Sequence, residues 1–518
     1  MSAKPILVLQ LQRMGDLVLS FPLLAWLGRH LPGHPLWVVG EEIFFKPLMP
    51  LSPSVTYFSY SNAHVLRGHE FHMVINLSHR PEAAALAGTV GAERVIGPYR
   101  TPNGSLHIGG NWQLYRASLT HNNRYNLFHW ADLNALDCIP PVRFRTTRWP
   151  LPRKGKPQPN PAPPKTAPAT APQALPKGAP DASAAFSAEG LPTGQGHIGL
   201  FLGASEEGKR PDAPFWASLA RQLLHEGARP VLLGGPAESG LGVEVSRLLK
   251  THALNLCGRF SVEELACFIA GLDLLVTPDT GPMHVATWTE TPVLNLSLGP
   301  VNPWETGPFS PGHHVLRAAV PCLGCWVCQE AEYLCKKQMP PRQVAAISLA
   351  IASGEPAHSR AGVMRGIALY STRRSGLGLF ELAELLPSTE GSPDTLEIRR
   401  ILADKEALGR FWQQWFLARF GLTPPQGAQD AATRLANEAP HLVPLLQSGL
   451  TQMLLTLSRS MKKNPAELLT REAWEKCPQI IRPFSGFAEL FVQNENADKQ
   501  ALVRVLADAE ELVRLMQG

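Results

Sequence analysis

The stretch 277–284, TPDTGPMH, places a carboxylate, a hydroxyl, a glycine and a histidine directly after the short apolar run 272–276. The run predicts a buried strand, and the proline after the glycine predicts the first turn of a helix. A helix start offers free N–H groups and a positive dipole end to an anion, and open α/β sheets bind ligands at this edge. The candidates for contacting a phosphate are therefore Asp279, Thr280, Gly281 and His284. The alternative is that Asp279 or Thr280 only caps the helix.

Near the start of the chain, the stretch 12–16, QRMGD, likewise places polar residues and a glycine directly after a short apolar run, 6–11. Gly15 permits a tight turn from strand to helix, and Asp16 lies where that turn meets the helix, close to Arg13. A carboxylate that faces a cleft from the end of a strand can act as a general base. The same local pattern is typical of an aspartate that caps a helix, so both interpretations stay open.

Two polar turns of the second half add further candidates. The loop 203–210, GASEEGKR, follows a predicted strand at 197–202 and carries the cations Lys209 and Arg210. Glu238 follows the turn Gly-Gly-Pro that ends another predicted strand. Because a cleft between two α/β halves is a common place for a bound nucleotide, these side chains are candidates for binding one.

Four cysteines form a second motif that could carry chemistry, with the spacing C-x2-C-x2-C-x6-C. They are Cys322, Cys325, Cys328 and Cys335. Four thiols in so short a loop can converge on one tetrahedral zinc or iron ion, and four protein ligands leave no open position, so its role would be structural. The alternatives are an iron–sulfur cluster, which the six-residue last gap disfavours, and reduced cysteines without an ion.

The composition is that of a globular chain, with 44% hydrophobic and 18% charged residues over 518 positions. The net charge of +5 fits anionic small molecules or a membrane surface and is too weak to argue for nucleic acid. The first residues contain no signal peptide and no membrane-spanning run. We therefore expect a cytoplasmic protein that contacts a membrane only at its surface.

Short apolar strands alternate with helical stretches in two parts of the chain, which predicts two α/β domains with parallel sheets. Between them lies a segment rich in Pro and Ala that cannot build a core and is expected to be disordered. The expected divisions are an N-terminal domain at 1–149, the linker at 150–195, a second α/β domain at 196–353 and a helical domain at 354–518.

The last third of the chain has apolar residues at helical spacing, which predicts an all-helical C-terminal appendix. The expected helical stretches are 380–386, 396–420, 442–458, 466–474 and 501–516. The apolar stripe of the last stretch is expected to be core, with dimerisation as the alternative. In the N-terminal domain, the polar and aromatic stretch 107–124 is expected to be a solvated helix, with contact to an acceptor as the alternative.

The order and spacing of these motifs resemble glycosyltransferase family 9, the ADP-heptose:lipopolysaccharide heptosyltransferases, over roughly residues 5–350. The resemblance rests on the motifs 12–16, 203–210, 234–238 and 279–284. It implies a GT-B architecture, in which two Rossmann-like domains face each other across a cleft. The acceptor would lie in the N-terminal domain and the nucleotide sugar in the C-terminal domain. The long linker and the helical appendix depart from the family pattern.

The resemblance also implies a reaction, the inverting transfer of heptose from ADP-heptose to a lipopolysaccharide core or lipid-linked acceptor. Asp16 would accept the proton of the attacking hydroxyl, and Lys209 with Arg210 would stabilise the leaving diphosphate. Asp279 would contact the heptose hydroxyls and Glu238 the ribose. The other substrate-binding candidates are Arg13, Gly15, Thr280, Gly281 and His284. Because fixed cations can replace a divalent ion, no cofactor is required for catalysis.

Two other functions stay open at this point. The acceptor could be a protein of the autotransporter type, since some relatives modify such proteins. Alternatively, the chain could be a non-catalytic sugar-nucleotide-binding or scaffold protein that uses the cysteines and the helical region for assembly. The presence of Asp16, Lys209 and Asp279 together argues against the second. Peripheral contact with the inner membrane and a homo-oligomer formed through the helical region are further expectations.

Overall fold

A computed structural model describes residues 3–146, 196–386 and 393–517 of the chain, apart from positions 252, 323, 326, 331, 363, 365 and 464. The predicted linker at 150–195 lies outside the described residues. Among the described residues, no helix is both long and apolar enough to cross a membrane.

The N-terminal domain is built on a six-stranded sheet with the order β3-β2-β1-β5-β7-β8, and a small second sheet pairs β4 with β6. All neighbours in the large sheet are parallel except β7 and β8. Its strands are β1 Ile6–Leu9, β2 Leu36–Gly40, β3 Thr56–Ser59, β4 Glu70–Phe71, β5 Met73–Asn76, β6 Gly91–Ala92, β7 Val95–Arg100 and β8 Leu106–Gly109. Its helices are α1 Met14–His30, α2 Glu42–Phe45, α3 Pro81–Thr89, α4 Asn111–Ser118 and α5 Trp130–Leu133.

The second domain contains an eight-stranded sheet with the order β11-β10-β9-β12-β13-β14-β15-β16. Its first six positions follow the Rossmann strand order 3-2-1-4-5-6 and pair in parallel. Its strands are β9 His197–Phe201, β10 Arg229–Leu233, β11 Leu254–Asn255, β12 Leu274–Pro278, β13 Val293–Ser297, β14 His314–Ala318, β15 Ile367–Arg374 and β16 Phe380–Leu386. Its helices are α6 Ala213–His225, α7 Ser239–Leu249, α8 Val262–Ile269, α9 Gly281–Trp288, α10 Pro303–Thr306, α11 Leu334–Lys337 and α12 Pro341–Ala352.

The predicted fold class is confirmed: two Rossmann-like domains face each other, and a helical region follows them. The helices of that region are α13 Pro393–Arg419, α14 Gln426–Glu438, α15 Leu442–Lys463, α16 Glu472–Glu475, α17 Arg482–Asn494 and α18 Lys499–Leu515. The apolar stripe of α18 is core as predicted, with Leu502, Val505 and Leu512 at most 3% exposed.

One predicted helix is wrong. Residues 380–386, FELAELL, form strand β16, which pairs antiparallel with β15 and extends the sheet of the second domain. The first four residues alternate in burial, with Phe380 and Leu382 buried and Glu381 and Ala383 partly exposed. This period of two is that of a strand, and the segment is too short for helical spacing to be decisive. The region expected to be all-helical from residue 354 therefore begins with two sheet strands.

The helical region shares one hydrophobic core with the N-terminal domain. The rings of Tyr115 and Phe416 lie 4.5 Å apart, and those of Trp112 and Phe420 lie 4.8 Å apart. Gly409 permits α13 to approach Leu127 closely, because a Cβ there would lie 3.0 Å from the Leu127 Cγ. The helices are therefore part of the N-terminal half rather than a separate appendix.

Candidate active site

The carboxyl edges of the two sheets face each other, and the turns that follow β1 and β12 meet between them. A Cβ on Gly15 would lie 3.5 Å from the Gly281 Cα, and one on Gly281 would lie 3.7 Å from the Gly15 nitrogen. Helices α1 and α9 therefore begin in contact across the domain boundary. Their packing continues with the rings of Phe21 and Trp288, 5.3 Å apart. The structure thus brings together the two turns that the sequence singled out separately.

The N-cap residues of both helices leave the helix starts without a cap of their own. Neither Arg13, at the N-cap of α1, nor Thr280, at the N-cap of α9, makes a capping hydrogen bond. Asp279 instead accepts a hydrogen bond of 2.9 Å from the Thr306 hydroxyl. The cap interpretation of Asp279 and Thr280 is therefore wrong. The uncapped start of α9 places a positive dipole end at this contact, which favours an anion there.

Asp16 lies at the third position of α1 and is half-buried. Burial raises the pKa of its carboxyl group. The charge of Arg116 and hydrogen bonds from the backbone N–H groups of Arg13 and Asp16 itself oppose that rise. The cap interpretation of Asp16 thus holds in part, because its carboxylate reaches back to the N-cap backbone. A carboxylate with a raised pKa is a better proton acceptor than an ordinary aspartate once it is ionised.

Lys209 and Asp279 are two charged groups at the edge of the second domain's sheet, and Lys209 lies close enough to affect the pKa of Asp279. Burial raises the pKa of Asp279, the charge of Lys209 is the largest opposing effect, and the carboxylates of Glu206 and Asp16 add to the rise. Lys209 also makes an ion pair of 3.1 Å with Glu206, and its side chain is 18% exposed. The mutual effect of Asp16 and Asp279 places carboxylates from both domains around one cleft.

Glu238 lies at the carboxyl ends of β9 and β10. Its Oε2 accepts a hydrogen bond of 2.9 Å from the Gly235 N–H, and a Cβ on Gly203 would lie 2.6 Å from its Cδ. Arg210 lines a cavity of about 340 Å³ together with Asp212 and other residues of the second domain. Of the two predicted cations, Lys209 is therefore the one beside Asp279.

His284 is the fourth residue of α9 and is 6% exposed. Burial lowers the pKa of its imidazole to about 4, so the ring is neutral at pH 7. Its Cδ2 lies against Gly15, and its buried Nδ1 has no hydrogen-bond partner. The ring therefore packs one domain against the other, and it can contact a ligand only as a neutral group.

The stretch 107–124 is not the solvated helix that its polar residues predicted. Helix α4 buries Trp112, Tyr115 and Arg116, because the helical region packs over it. Arg116 donates a hydrogen bond of 3.2 Å to the Leu77 carbonyl, and its guanidinium lies 5.2 Å from the centre of the Trp130 ring. Burial lowers its pKa to about 10, while the charges of Asp16 and then Glu305 act in the opposite direction. Arg116 therefore belongs to the site, although the sequence did not indicate it.

Glu305 is the second residue that the sequence interpretation missed. It lies in α10, is 4% exposed, and its Oε2 accepts a hydrogen bond from the Asn123 side chain of the N-terminal domain. Burial raises its pKa to about 7, against the effects of Asn123, Trp130 and Arg116, while Asp279 adds to the rise. Arg116 thus links Asp16 of one domain electrostatically to Glu305 of the other. The signal in the sequence is weak, since NPWET predicts only a short capped turn.

Glu305 should make stability depend on pH. Its folded pKa of about 7 exceeds the ordinary glutamate pKa of 4.5, so the folded state holds up to one more proton than the unfolded state between these values. Stability is then full below pH 4.5 and falls as the pH rises towards 7, by about 3 kcal/mol at most. Urea unfolding across this range should show the fall. Glu305→Gln should remove it, and Glu510→Gln, at an exposed glutamate of α18, should not. If the free energy of unfolding fell equally with pH in all three proteins, Glu305 would not be the group responsible.

The four cysteines lie in the loop after β14 and in α11. Burial, followed by the nearby thiols, raises the pKa of Cys322 and Cys325, so these groups lie close enough to sense one another. The Cys335 sulfur accepts a hydrogen bond of 3.2 Å from the Gly299 N–H. Within the described part of the chain, however, no three His, Cys, Asp or Glu side chains are arranged to hold a metal ion. The geometry does not support the predicted zinc or iron site, and elemental analysis of protein purified without chelator decides the point.

Two facing Rossmann-like domains with polar turns at both carboxyl edges define the GT-B class of fold. Residues 167–335, about a third of the chain, match the family model described as glycosyltransferase family 9 (heptosyltransferase). The matched segment includes Lys209, Glu238 and Asp279. Asp16 lies outside it.

Two individual relatives match shorter parts of the chain, and a solved structure superposes on a larger part at lower sequence identity. Lipooligosaccharide heptosyltransferase 2 of Campylobacter jejuni is 30% identical over 162 residues, 30% of this chain and 51% of the relative. Lipopolysaccharide heptosyltransferase 2 of Salmonella typhimurium is 35% identical over 106 residues, 20% of this chain and 30% of the relative. The chain thus spans about half the length of the Campylobacter relative and less than a third of the Salmonella relative. The solved structure of Escherichia coli ADP-heptose lps heptosyltransferase II superposes with a TM-score of 0.47 at 20% identity, over 68% of this chain and 99% of that one.

Proposed function

We propose that the protein is an inverting glycosyltransferase that moves heptose from ADP-heptose to a lipopolysaccharide core acceptor. The observation that carries the proposal is the contact between the α1 start, with Asp16, and the α9 start at Gly281. The family assignment of residues 167–335 supports the reaction class, and the names of the heptosyltransferase relatives support the sugar. The heptose transfer would take place at the cytoplasmic face of the inner membrane.

In this mechanism Asp16 accepts the proton of an acceptor hydroxyl as that oxygen attacks the anomeric carbon of the donor. A new carbon–oxygen bond forms on one face, and the bond to the diphosphate breaks on the other. The electron pair of the broken bond stays on the diphosphate oxygen. One such displacement inverts the anomeric configuration. Arg116 contributes a positive charge that favours the ionised form of Asp16.

The leaving diphosphate gains negative charge as the bond breaks, and the second domain offers it stabilising groups. These are the ammonium of Lys209 and the N–H groups at the start of α9 around Gly281. Asp279, oriented by Thr306, would accept hydrogen bonds from heptose hydroxyls. The remaining oxygen of Glu238 would bind the ribose at the ends of β9 and β10.

A donor screen tests the proposal. ADP-heptose should raise the melting temperature of the full-length protein, because a ligand present at 100 times its Kd stabilises the folded state by about 2.7 kcal/mol. ADP should give a smaller shift, and UDP-glucose none at the same concentration. Addition of heptose-free lipopolysaccharide should then release ADP from ADP-heptose. Absence of both the shift and the ADP release would exclude this donor.

A further inference from the structure

A cavity of about 600 Å³ lies where the N-terminal domain, the cysteine loop and the helical region meet. The three parts contribute residues of 117–125 (the end of α4 and the loop after it), residues of 322–329, and residues of 471–490. Its volume lies in the range of sites that bury small organic ligands. It is therefore much larger than a single inorganic ion requires. The segment matched by the family model supplies only one of its walls.

The charge of the cavity wall is positive. The charged side chains are Arg124, Arg471, Arg482 and Glu489, and His121 is a further titratable one. Burial raises the pKa of Glu489, while the charges of Arg471 and then Arg482 oppose the rise, which shows that these three groups face one another. Three guanidinium groups against one carboxylate leave a charge of +2. The Nε of Arg124 is buried without a hydrogen-bond partner.

Both helical-region arginines are available for a ligand. The ion pair of Arg471 with Glu475 spans 3.4 Å and is largely exposed, so it contributes little energy. Arg482 donates one hydrogen bond of 3.1 Å, from one of its two terminal nitrogens, to the Glu475 carbonyl. Guanidinium groups bind phosphate and carboxylate in a two-pronged manner. The carboxamides of Gln329 and Gln479 in the same wall are suited to sugar hydroxyls.

The cavity is held open by contacts between domains. The Asn122 side chain donates a hydrogen bond of 2.7 Å to the Arg482 carbonyl. Gly486 of α17 lies so close to Asn122 that a Cβ would overlap it. On α4, Arg116 contacts the Leu77 carbonyl near Asp16, whereas Ala117 and Ser118 line the cavity. One helix therefore separates the cavity from the reacting groups, and its ligand does not replace the donor.

We propose that this cavity binds a saccharide that carries a phosphate or carboxylate group. On the proposed function, the saccharide is a charged unit of the acceptor, distant from the hydroxyl that reacts. A free phosphorylated sugar offers the same chemistry. The helical region then serves to recognise the acceptor, because it supplies Arg471 and Arg482.

The first experiment uses glucose 6-phosphate, glucose and inorganic phosphate as probes, by calorimetry on the full-length protein with saturating ADP to occupy the nucleotide site. Glucose 6-phosphate should bind, and glucose should not. Arg471→Gln/Arg482→Gln should weaken that binding at least tenfold. The matched control Arg504→Gln, at an exposed arginine of α18, should leave it within twofold. Equal affinity of the double variant and the unchanged protein overturns the inference, and binding of inorganic phosphate alone shows an adventitious ion only.

The second experiment distinguishes the two sources of the ligand. With heptose-free lipopolysaccharide as acceptor, the double variant should raise KM at least tenfold with kcat nearly unchanged, and dephosphorylated lipopolysaccharide should show a smaller difference between the proteins. An unchanged KM with loss of glucose 6-phosphate binding assigns the cavity to a free sugar phosphate. Stabilisation by ADP-heptose without binding of the probe overturns this inference alone. Binding of the probe without any effect of ADP-heptose overturns only the proposed function.

Discussion

Replacing Asp16 with asparagine should lower kcat for heptose transfer by roughly 10²–10⁴-fold, the range that a positioned general base contributes. Asparagine keeps the shape of the side chain but cannot accept the proton of the attacking hydroxyl. The proposed donor contacts, Lys209 and Asp279, lie on the other domain. The thermal shift produced by ADP-heptose should therefore change little. Single-turnover measurement of ADP release is the direct assay.

The pH profile gives a second test of the same role. Burial raises the pKa of Asp16, so the base is protonated and inactive at low pH and becomes active as the pH rises through that pKa. The acidic limb of kcat/KM should thus lie above the ordinary aspartate pKa of 3.8 and should disappear in Asp16→Asn. Asp498→Asn is the matched control, because this exposed aspartate caps α18 and asparagine also caps helices. Transfer by Asp16→Asn at a rate within tenfold of normal would show that another group is the base.

The turns after β1 and β12 were accessible to sequence reasoning because their chemistry is local. A glycine or proline next to a short apolar run indicates where a strand ends and a helix begins, and parallel sheets collect such turns at one edge. The turns at Gly15 and Gly281 follow from this rule. Their contact across the cleft does not follow from it, since it depends on how two domains pack.

Arg116 and Glu305 escaped prediction for a related reason. The sequence around Arg116 is polar, and nothing local indicates that aromatic residues from 411–420 will cover it. The burial of Glu305 depends on Asn123, which lies 182 positions away in the sequence. Similarly, 380–386 was assigned to a helix because its partner strand β15 was not recognised. In each case tertiary packing overrode the local pattern.

Replacing Lys209 with methionine should lower kcat by roughly 10²–10³-fold, which is the usual loss when one group that stabilises developing charge is removed. Methionine has a similar length but no charge. The Lys209 side chain is only 18% exposed, so in the proposed mechanism its ammonium would act on the diphosphate with little screening by water. The diphosphate is already charged in the bound donor and gains charge in the transition state. We therefore expect a larger effect on kcat than on the KM for ADP-heptose.

A second consequence separates this role from a structural one. Lys209 is the largest influence that opposes the raised pKa of Asp279, so Lys209→Met should raise that pKa further. A protonated Asp279 accepts hydrogen bonds from heptose less well. The KM for ADP-heptose of Lys209→Met should therefore rise more steeply than that of the unchanged protein as the pH is lowered. Lys476→Met, at an exposed lysine of the helical region, should alter neither parameter. Unchanged kcat in Lys209→Met would remove the ammonium from the mechanism and leave the α9 start as the stabilising group.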